Sequence, residues 1–391
     1  MRTAAFLLIF SLTASAVAGQ SARKIHQQAI LIDTHNDFPS AAVEKKVGLD
    51  QDLKGKTHSD LKRLLEGGVD IQVFSIFCGG EQAKPYEWAN REIDSVYEWV
   101  RRNPGQMLLV KNSSDLEKAV KEKKLGAMLG MEGGHMIEDE LNKLNALYER
   151  GVRYMTLTWN NSPTWATSAL DETTKADLPH KGLTEFGKQV VKRMNELGML
   201  VDLSHTGEQT FWDAIHTSTK PVIASHSCVY NLCPHRRNLK DDQIKAIGAN
   251  GGVIHLNFYA GFIDSTFESR SSAFYEANKK KIDSLVATGM QPDYARFAVA
   301  EKNPELIAQL RPSMEVLLDH LDYIVKLIGV DHVGLGSDFD GIEAPPRELN
   351  GVEDFPLLTK ALKKRGYSKK DIEKILGGNF IRVLKANEQK M

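Results

Sequence analysis

The sequence has little cysteine and almost no net charge, and both deficits exclude classes of protein. Three cysteines in 391 residues are too few for a disulfide scaffold. In an exported protein one disulfide would be possible, with Cys228 and Cys233 as the closest pair, and the odd number leaves at least one thiol free. The net charge of −1 provides no overall field that favours nucleic acid or an anionic membrane. We therefore expect no nucleic-acid partner.

Long apolar runs are equally scarce, and the main one lies at the N-terminus. Residues 4–17 are apolar and follow the basic Arg2, but this run is too short to span a bilayer. Residues 16–18, Ala-Val-Ala, have the small-x-small pattern that signal peptidase accepts. We expect a signal peptide over residues 1–18 and export to the periplasm or the medium; a buried N-terminal helix is the alternative. No second run could cross a membrane, so we expect no membrane span.

Short apolar runs alternate with amphipathic helices along the rest of the chain. The predicted strands are residues 29–32, 70–77, 126–131, 153–158, 199–203, 221–224, 252–256 and 332–336. This alternation is typical of the α/β class and predicts a (β/α)8 barrel of the TIM type. Residues 258–312 are charged and break the rhythm. We predict a helical insertion after strand 7 that lies over one face; a plain solvated helix pair is the alternative. No linker divides the chain, so residues 19–391 are expected to form one domain.

Polar side chains follow the predicted strands at their C-terminal ends. They are His35 and Asp37 after strand 1, Glu132 after strand 3, His205 after strand 5, His226 after strand 6 and Asp338 after strand 8. Active sites of such barrels lie at the C-terminal ends of the strands, so we expect these side chains to converge. His35 and Asp37 are two residues apart and point to the same side of an extended chain.

Imidazole and carboxylate groups are ligands that zinc prefers. One metal ion could use His35 and Asp37, and a second could use His205 and His226. Glu132 has two carboxylate oxygens and could bridge them, so that the pair of ions lowers the pKa of a shared water. The remaining acid would then be free to move a proton to a leaving nitrogen. For each histidine taken singly, a structural role in the core or a loop is the alternative.

Seven segments in the same order resemble the membrane (renal-type) dipeptidase family of the amidohydrolase superfamily. They are LIDTHND, GMEGGH, RYMTLT, LVDLSH, ASHS, HRRN and GLGSDFDG. The similarity extends from about Ile30 to the C-terminal helices. It implies a (β/α)8 barrel with two zinc ions per chain, held by His35, Asp37, Glu132, His205 and His226. It also implies that Asp338 is the acid/base and that Arg237 of the HRRN segment binds the substrate's carboxylate.

The chain departs from the family pattern after the fourth predicted strand. Well-known members have a histidine there that helps to hold the substrate, whereas this sequence has Trp159, followed by Asn160. An indole can donate a hydrogen bond but cannot accept a proton. We expect Asn160 to substitute as the donor to the oxyanion, with an apolar wall of the pocket as the simple alternative for Trp159. Asp340 could be confused with Asp338, while Asp33 is expected to accept a hydrogen bond behind the metal ligands.

The sequence thus predicts an exported zinc dipeptidase that hydrolyses the amide of a small dipeptide through a bridging hydroxide. By resemblance, dipeptides with a C-terminal D-residue are included as substrates, and a homodimer is one option. Two alternatives stay open. One is a related amidohydrolase that acts on N-acyl amino acids, and the other is a non-catalytic metal-binding scaffold. The presence of all six strand-end residues, His35, Asp37, Glu132, His205, His226 and Asp338, argues against the scaffold.

Overall fold

Nine strands form one parallel sheet in the computed structural model, which describes residues 21–290 and 292–389. The predicted signal peptide lies outside the described residues. The strands are β1 (Ile32–Asn36), β2 (Ile71–Phe77), β3 (Met107–Leu109), β4 (Leu125–Glu132), β5 (Val152–Thr156), β6 (Leu200–Asp202), β7 (Ile223–Ala224), β8 (Val253–Leu256) and β9 (Val333–Leu335). Eight of them follow one another in the order β1-β2-β4-β5-β6-β7-β8-β9. The predicted TIM-type α/β barrel is confirmed.

The barrel closes where the chain beyond β9 meets the end of β1. Asn36 pairs in parallel with Phe339, and the N–H of Asp37 donates to the Phe339 carbonyl at 2.9 Å. The N–H of Asp338 donates to the His35 carbonyl at 3.0 Å. Two predicted site segments are therefore joined by backbone hydrogen bonds at the rim.

The strands are buried on both faces because helices cover the outside of the sheet. Every residue of β2 and β4 is buried, which agrees with their nearly unbroken apolar sequence. The one strand that sequence analysis missed is β3, which has three residues and pairs only with β4 beside the barrel. So short an apolar run carries no periodicity that would identify it.

Helices occupy the connections, as the amphipathic pattern predicted. Residues 21–28 are also helical. The helices are α1 (Phe38–Lys45), α2 (Leu61–Glu66), α3 (Pro85–Arg102), α4 (Ser113–Glu122), α5 (Leu141–Glu149), α6 (Ala169–Thr174), α7 (Glu185–Leu197), α8 (Glu208–Thr217), α9 (Asp241–Asn250), α10 (Ala260–Ile263), α11 (Phe267–Ala287), α12 (Pro292–Glu301), α13 (Pro304–Leu310), α14 (Met314–Ile328), α15 (Phe355–Lys364), α16 (Lys369–Glu373) and α17 (Asn379–Asn387). Their ends follow local rules. For example, α7 begins at Thr184, which accepts from the Gly187 N–H, and ends at Gly198 with φ +82°.

The segment 258–312 is helical and forms α10 to α13. A small apolar cluster joins Phe267, Ala300 and Ile307 of this segment to Ala344 in the chain that follows β9 at the barrel mouth. Much of the long helix α11 is exposed beyond that cluster. The predicted helical insertion over one face therefore describes one part of the segment. The alternative, a solvated helix, describes the exposed part of α11.

The three cysteines are free and buried. The Cys228 thiol donates to the Asn257 carbonyl at 3.2 Å, and the Cys233 thiol donates to the Gly261 carbonyl at 3.5 Å. The disulfide considered for this pair is absent from the structure, because each sulfur faces a different backbone carbonyl. No helix within residues 21–290 and 292–389 combines the length and apolar character that crossing a bilayer requires.

Candidate metal centre and substrate pocket

Five predicted metal ligands converge at the C-terminal mouth of the barrel. Oε1 of Glu132 lies 2.9 Å from Nε2 of His205 and 3.3 Å from Nε2 of His226. The other oxygen, Oε2, lies 3.5 Å from Nε2 of His35, and Oδ2 of Asp37 lies 3.6 Å from the same nitrogen. The two oxygens of Glu132 thus face different histidines, which is the arrangement expected of a bridging carboxylate.

The hydrogen bonds behind His35 determine which ring nitrogen carries the proton. Nδ1 of His35 lies 2.8 Å from the Tyr154 hydroxyl, and that hydroxyl donates to the Thr34 carbonyl at 3.0 Å. Because the hydroxyl hydrogen is used in this way, the oxygen accepts from Nδ1–H. Nε2 of His35 is then left with a lone pair that points into the site, as a metal ligand requires.

The same logic applies to the other two histidines. Nδ1 of His226 lies 2.8 Å from the Ser225 hydroxyl, which donates to Asp202 at 2.6 Å. Nδ1 of His205 lies 3.1 Å from Oδ1 of Asn160, an oxygen that can only accept. Both Nε2 atoms are therefore unprotonated, yet they face each other at 3.1 Å. Two lone pairs at this distance need a cation between or beside them.

The electrostatics of the cluster also fit a cation. Without an ion, burial lowers the pKa of His35, but Tyr154 and the carboxylates of Glu132 and Asp37 outweigh it and raise this pKa well above the ordinary value, so a proton takes the Nε2 position that a metal ion would occupy. Burial, followed by the neighbouring charge of His35, lowers the pKa of His226 well below the ordinary value. Nε2 of His35 and Oδ1 of Asp37 are buried without a hydrogen-bond partner among the described atoms. His35, Glu132 and His226 have ligand atoms within 4.8 Å of one another and form a metal-binding site.

Two buried aspartates form hydrogen bonds to serines on neighbouring segments, and each serine directly precedes a site residue. Asp33 of β1 accepts from the Ser337 N–H at 2.8 Å and from its hydroxyl at 2.6 Å. Asp202 of β6 accepts from the Ser225 N–H at 2.8 Å and from its hydroxyl at 2.6 Å. Ser337 precedes Asp338, and Ser225 precedes His226. The Asp33–Ser337 pair agrees with the expectation that Asp33 accepts a hydrogen bond behind the metal ligands. The Asp202–Ser225 pair was not predicted.

Replacing Asp202 by Asn is expected to weaken metal binding by about 10- to 100-fold, the usual effect of losing a partner behind a metal ligand. The N–H and the hydroxyl of Ser225 bind different oxygens of Asp202, and an amide has an oxygen at only one of these two positions. The freed hydroxyl can instead donate to Nδ1 of His226, which moves the ring proton to Nε2 and removes the ligand lone pair. Competition with a chromophoric chelator measures the affinity. Thr156→Val is the matched control, because Thr156 donates to the same carboxylate without contacting His226; equal effects of both variants would contradict the tautomer argument.

Asp338 lies on the rim and its neighbour Asp340 does not face the site. Oδ1 of Asp338 is 4.0 Å from Nε2 of His35, and Oδ2 accepts from the Asn257 amide at 2.7 Å. Burial and then the charge of Asp37 raise the pKa of Asp338 well above the ordinary value. Asp340 instead accepts from the His58 N–H at 2.6 Å. The structure thus separates two acids that the sequence could not tell apart.

The backbone of this rim is strained, and one glycine allows it to approach the site. Asp338 and Asp340 have φ values of +61° and +68°, a region that costs a non-glycine residue roughly 1–3 kcal/mol. A Cβ atom on Gly341 would lie 2.1 Å from Oδ2 of Asp37 and 2.8 Å from Oδ1 of Asp338. Only glycine fits at this position without displacing both carboxylates. His205 has φ +62° as well, so strained backbone recurs at the site.

A cavity of about 220 Å³ opens over the cluster and contains the predicted substrate-binding residues. Arg237 is buried in its wall, and one guanidinium nitrogen donates to the His226 carbonyl at 3.1 Å. Burial lowers the pKa of Arg237 to about 10, so it stays a cation at neutral pH. Nε of Arg237 is buried and has no hydrogen-bond partner among the described atoms.

Trp159 and Asn160 both line the cavity, but they differ in what they contact. The Trp159 ring packs edge-on against Phe77 with centroids 4.8 Å apart, so it forms an apolar wall. The side-chain oxygen Oδ1 of Asn160 accepts from Nδ1 of His205 and orients its ring, a role that the sequence did not predict. Donation from Asn160 to an oxyanion stays a prediction.

Several cavity residues escaped sequence analysis because they come from the insertion or from loops. Arg296 and Phe297 of α12 and Glu268 of α11 line the cavity together with Tyr259 and Glu343. The charged segment 258–312 carries four of them, and its sequence has no periodic pattern that would predict a contact with the barrel mouth. The residues behind the ligands did leave a signal, since serine directly precedes His205, His226 and Asp338.

Comparison with known proteins places this geometry in a family. A model of the membrane dipeptidase family (peptidase family M19) matches residues 19–391. An uncharacterized dipeptidase of Schizosaccharomyces pombe is 32% identical over 394 aligned positions, which cover 95% of this chain and 84% of the relative.

Solved structures share the fold. The probable dipeptidase PvdM of Pseudomonas aeruginosa superimposes with a TM-score of 0.76 at 24% identity, covering 95% of this chain and 98% of that one. A metallo peptidase of Rhodobacter sphaeroides, liganded with a phosphinate mimic of the dipeptide L-Ala-D-Ala, gives 0.74 at 24% identity, covering 92% of this chain and all of that one. From the family match over nearly the whole sequence, together with the metal-binding site at the barrel mouth, we conclude that this chain belongs to the membrane dipeptidase family and is a metallo-dipeptidase.

Proposed function

We propose that the protein is an exported dipeptidase that uses two zinc ions to hydrolyse the amide bond of free dipeptides, including those with a C-terminal D-residue. The observation that carries the proposal is the cavity itself. Three of the five ligands, Asp37, Glu132 and His205, line it together with the carboxyl group of Asp338 and the buried guanidinium of Arg237, in a volume of about 220 Å³. A space of that size suits a small substrate rather than a long peptide.

Arg237 would hold the free carboxylate of the dipeptide. A guanidinium presents parallel N–H donors that match a carboxylate, and the unpartnered Nε leaves donor capacity for one. The side chain is anchored by the His226 carbonyl, so its distance from the metal ligands is constrained. A chain that continued beyond this carboxylate would not fit the contact, which favours dipeptides over longer peptides.

The metal ligands and Asp338 would divide the chemistry. His35, Asp37, Glu132, His205 and His226 would hold the zinc ions, with Glu132 between them. When bound, such ions acidify water and polarise a carbonyl group. Asp338 would accept a proton at Oδ1 and donate it to the leaving nitrogen, while Asn257 keeps Oδ2 in place. Trp159 and Phe77 would exclude water from one side of the reacting amide.

The stereochemistry of the substrate is argued from a relative. The Rhodobacter sphaeroides metallo peptidase binds a mimic of L-Ala-D-Ala, and it shares this fold. A carboxylate held by Arg237 leaves the configuration at the adjacent carbon to the cavity wall rather than to the metal ligands. This supports D-residues as accepted substrates here.

A substrate screen tests the proposal. The purified protein is loaded with zinc and assayed on L-Ala-L-Ala, L-Ala-D-Ala, L-Ala-L-Ala-L-Ala and N-acetyl-L-alanine, each with and without a chelator. We expect chelator-sensitive release of alanine from both dipeptides and much slower reaction of the tripeptide. Faster hydrolysis of N-acetyl-L-alanine than of either dipeptide would overturn the proposal in favour of an N-acyl amino acid amidohydrolase.

Arg237→Met is expected to raise KM for L-Ala-L-Ala by about 10- to 100-fold, because hydrogen bonds to a charged group contribute roughly 1.5–3 kcal/mol. The effect on kcat should be smaller, since the carboxylate is bound in both the ground state and the transition state. Steady-state kinetics measure both constants. Arg236→Met is the matched control, because this neighbouring arginine lines the same cavity but is exposed. A larger effect of the control would contradict the assignment.

Export is tested independently of activity. We expect the mature protein, when expressed from the full sequence in a secreting host, to begin at Gly19 after cleavage of the Ala16-Val17-Ala18 segment. N-terminal sequencing of the extracytoplasmic fraction measures this. Recovery of the protein only in the cytoplasm with its first residues intact would contradict it.

A further inference from the structure

The outer part of the substrate cavity is built by the insertion rather than by the barrel strands. Helix α12 contributes Arg296, and α11 contributes Glu268; both line the same cavity as Arg237. The metal ligands come from strand ends and not from the insertion. The charged groups of the insertion are therefore not needed for metal binding. A charged side chain there is available to the part of a substrate that lies away from the reacting amide.

Arg296 is held in place by an aromatic platform. Its guanidinium carbon lies 4.1 Å from the centre of the Tyr275 ring. Tyr275 is itself fixed, because its hydroxyl donates to Oε1 of Glu343 at 2.7 Å, and Tyr259 donates to the same oxygen at 3.1 Å. Stacking on a ring orients the plane of a guanidinium while leaving its edge free for hydrogen bonds.

The donors of Arg296 are not used by a carboxylate within the described part of the chain. No described acidic side chain lies within 4.0 Å of its guanidinium, in contrast to arginines such as Arg63, which is paired with Asp60 at 2.6 Å. Nε of Arg296 is buried without a hydrogen-bond partner among the described atoms. A buried, unpaired N–H costs about 1–3 kcal/mol, which a bound acceptor would recover.

The charge balance of the cavity supports an anionic ligand group. Beyond the metal ligands and Asp338, the cavity is lined by three arginines and two glutamates. Glu343 already accepts two tyrosine hydroxyls on Oε1, so part of its capacity is used within the protein. Glu343 and Glu268 are near enough to raise the pKa of Arg296, but neither forms an ion pair with it among the described residues. With Arg237 reserved for the main-chain carboxylate, Arg296 is the remaining cavity guanidinium with a buried, unpartnered Nε, since Arg236 is exposed.

We propose that Arg296 is a specificity-determining residue that selects dipeptides carrying an acidic side chain, either aspartate or glutamate. This inference rests on the proposed dipeptide hydrolysis and adds the substrate class. The acidic side chain would accept from the guanidinium edge while Arg237 holds the main-chain carboxylate. The corresponding amide, which has the same shape but no charge, would bind less well.

The experiment compares each acidic dipeptide with its amide on one enzyme preparation. Values of kcat/KM are measured for L-Ala-L-Glu against L-Ala-L-Gln and for L-Glu-L-Ala against L-Gln-L-Ala, with L-Ala-L-Ala as the neutral reference. The ratio within a pair does not depend on the fraction of folded enzyme. We expect the wild type to prefer the acidic member of at least one pair by about tenfold or more. Arg296→Gln should bring that ratio close to one, whereas Arg236→Gln should retain it.

A second variant tests the idea even where Arg296→Gln does not fold. Glu268 lines the cavity and its charge opposes an anionic substrate, so Glu268→Gln should increase the acidic preference about threefold. A wild-type ratio near one, a preference that survives Arg296→Gln, or a preference that falls in Glu268→Gln would each overturn the inference. Absence of hydrolysis of all five dipeptides, including L-Ala-L-Ala, would instead refute the proposed function.

Discussion

Asp338→Asn is expected to lower kcat by about 10³-fold while the protein still binds metal, because a positioned general acid/base contributes roughly 10²–10⁴-fold. Asparagine retains the shape of the side chain, and it can still contact Asn257 after a rotation of the amide. It cannot carry the proton from water to the leaving nitrogen. Burial and the charge of Asp37 raise the pKa of this carboxyl group well above its ordinary value, which favours retention of a proton that it has accepted. Steady-state kinetics on L-Ala-D-Ala, with metal content measured on the same sample, separate the two effects.

Asp340→Asn is the control for this experiment. Asp340 belongs to the same sequence segment and has the same left-handed backbone, but its side chain is tied to His58. We expect a reduced melting temperature and a kcat close to that of the wild type. Undiminished turnover by Asp338→Asn would remove this residue from the mechanism. An equal loss in both variants would show that the effect comes from the rim's conformation and not from proton transfer.

Glu132→Gln is expected to abolish stable metal binding and to lower kcat/KM by roughly 10³-fold or more, since the electrostatic contribution of bound metal amounts to several kcal/mol. The two oxygens of Glu132 face different histidines, and an amide presents only one oxygen. The substitution also removes a negative charge from a cluster of imidazoles that lower the pKa of this carboxyl well below its ordinary value, although burial opposes them. Elemental analysis of the purified variant and activity after reconstitution measure the loss.

Glu138→Gln provides the matched control, because Glu138 follows in the same loop but points away from the ligands, pairing with Lys143 and accepting from the Tyr86 N–H in a half-buried setting. Since none of these contacts involves a metal ligand, we expect full metal content and normal turnover, with at most a modest loss of stability. Retention of the wild-type metal content by Glu132→Gln would contradict the bridging assignment, because the remaining histidines would then suffice to hold the metal.

The family and the barrel could be predicted because their signals are local. Buried parallel strands are continuous apolar runs, and they alternate with helices whose polar and apolar faces repeat with the helical period. The rule that the active sites of such barrels lie at the strands' C-terminal ends then brought six scattered residues to one mouth. The structure places all six there, between His35 on β1 and Asp338 after β9. The three-residue strand β3 was missed because its pairing is determined by its neighbour β4 and not by its own sequence.

The parts that could not be predicted depend on contacts between distant segments. Nothing in the DFDG sequence distinguishes Asp338 from Asp340; the left-handed backbone and the hydrogen bond to His58 do so. Nothing in ASHS shows that Ser225 donates to Asp202 and thereby sets the tautomer of His226. These choices are made by side chains far apart in sequence, which only the closed barrel brings within hydrogen-bond distance.

The sequence by itself determined the chemistry of this protein, because the ligand types and their positions after strands are properties of single segments. The tertiary structure decided how the reactive side chains are oriented. It selected the acid that faces the site and oriented three imidazoles through Tyr154, Asn160 and the Ser225–Asp202 pair. It also brought Arg296 from the insertion into the cavity. The physical reason is that orientation depends on hydrogen bonds and packing across strands, whereas identity depends on the residue alone.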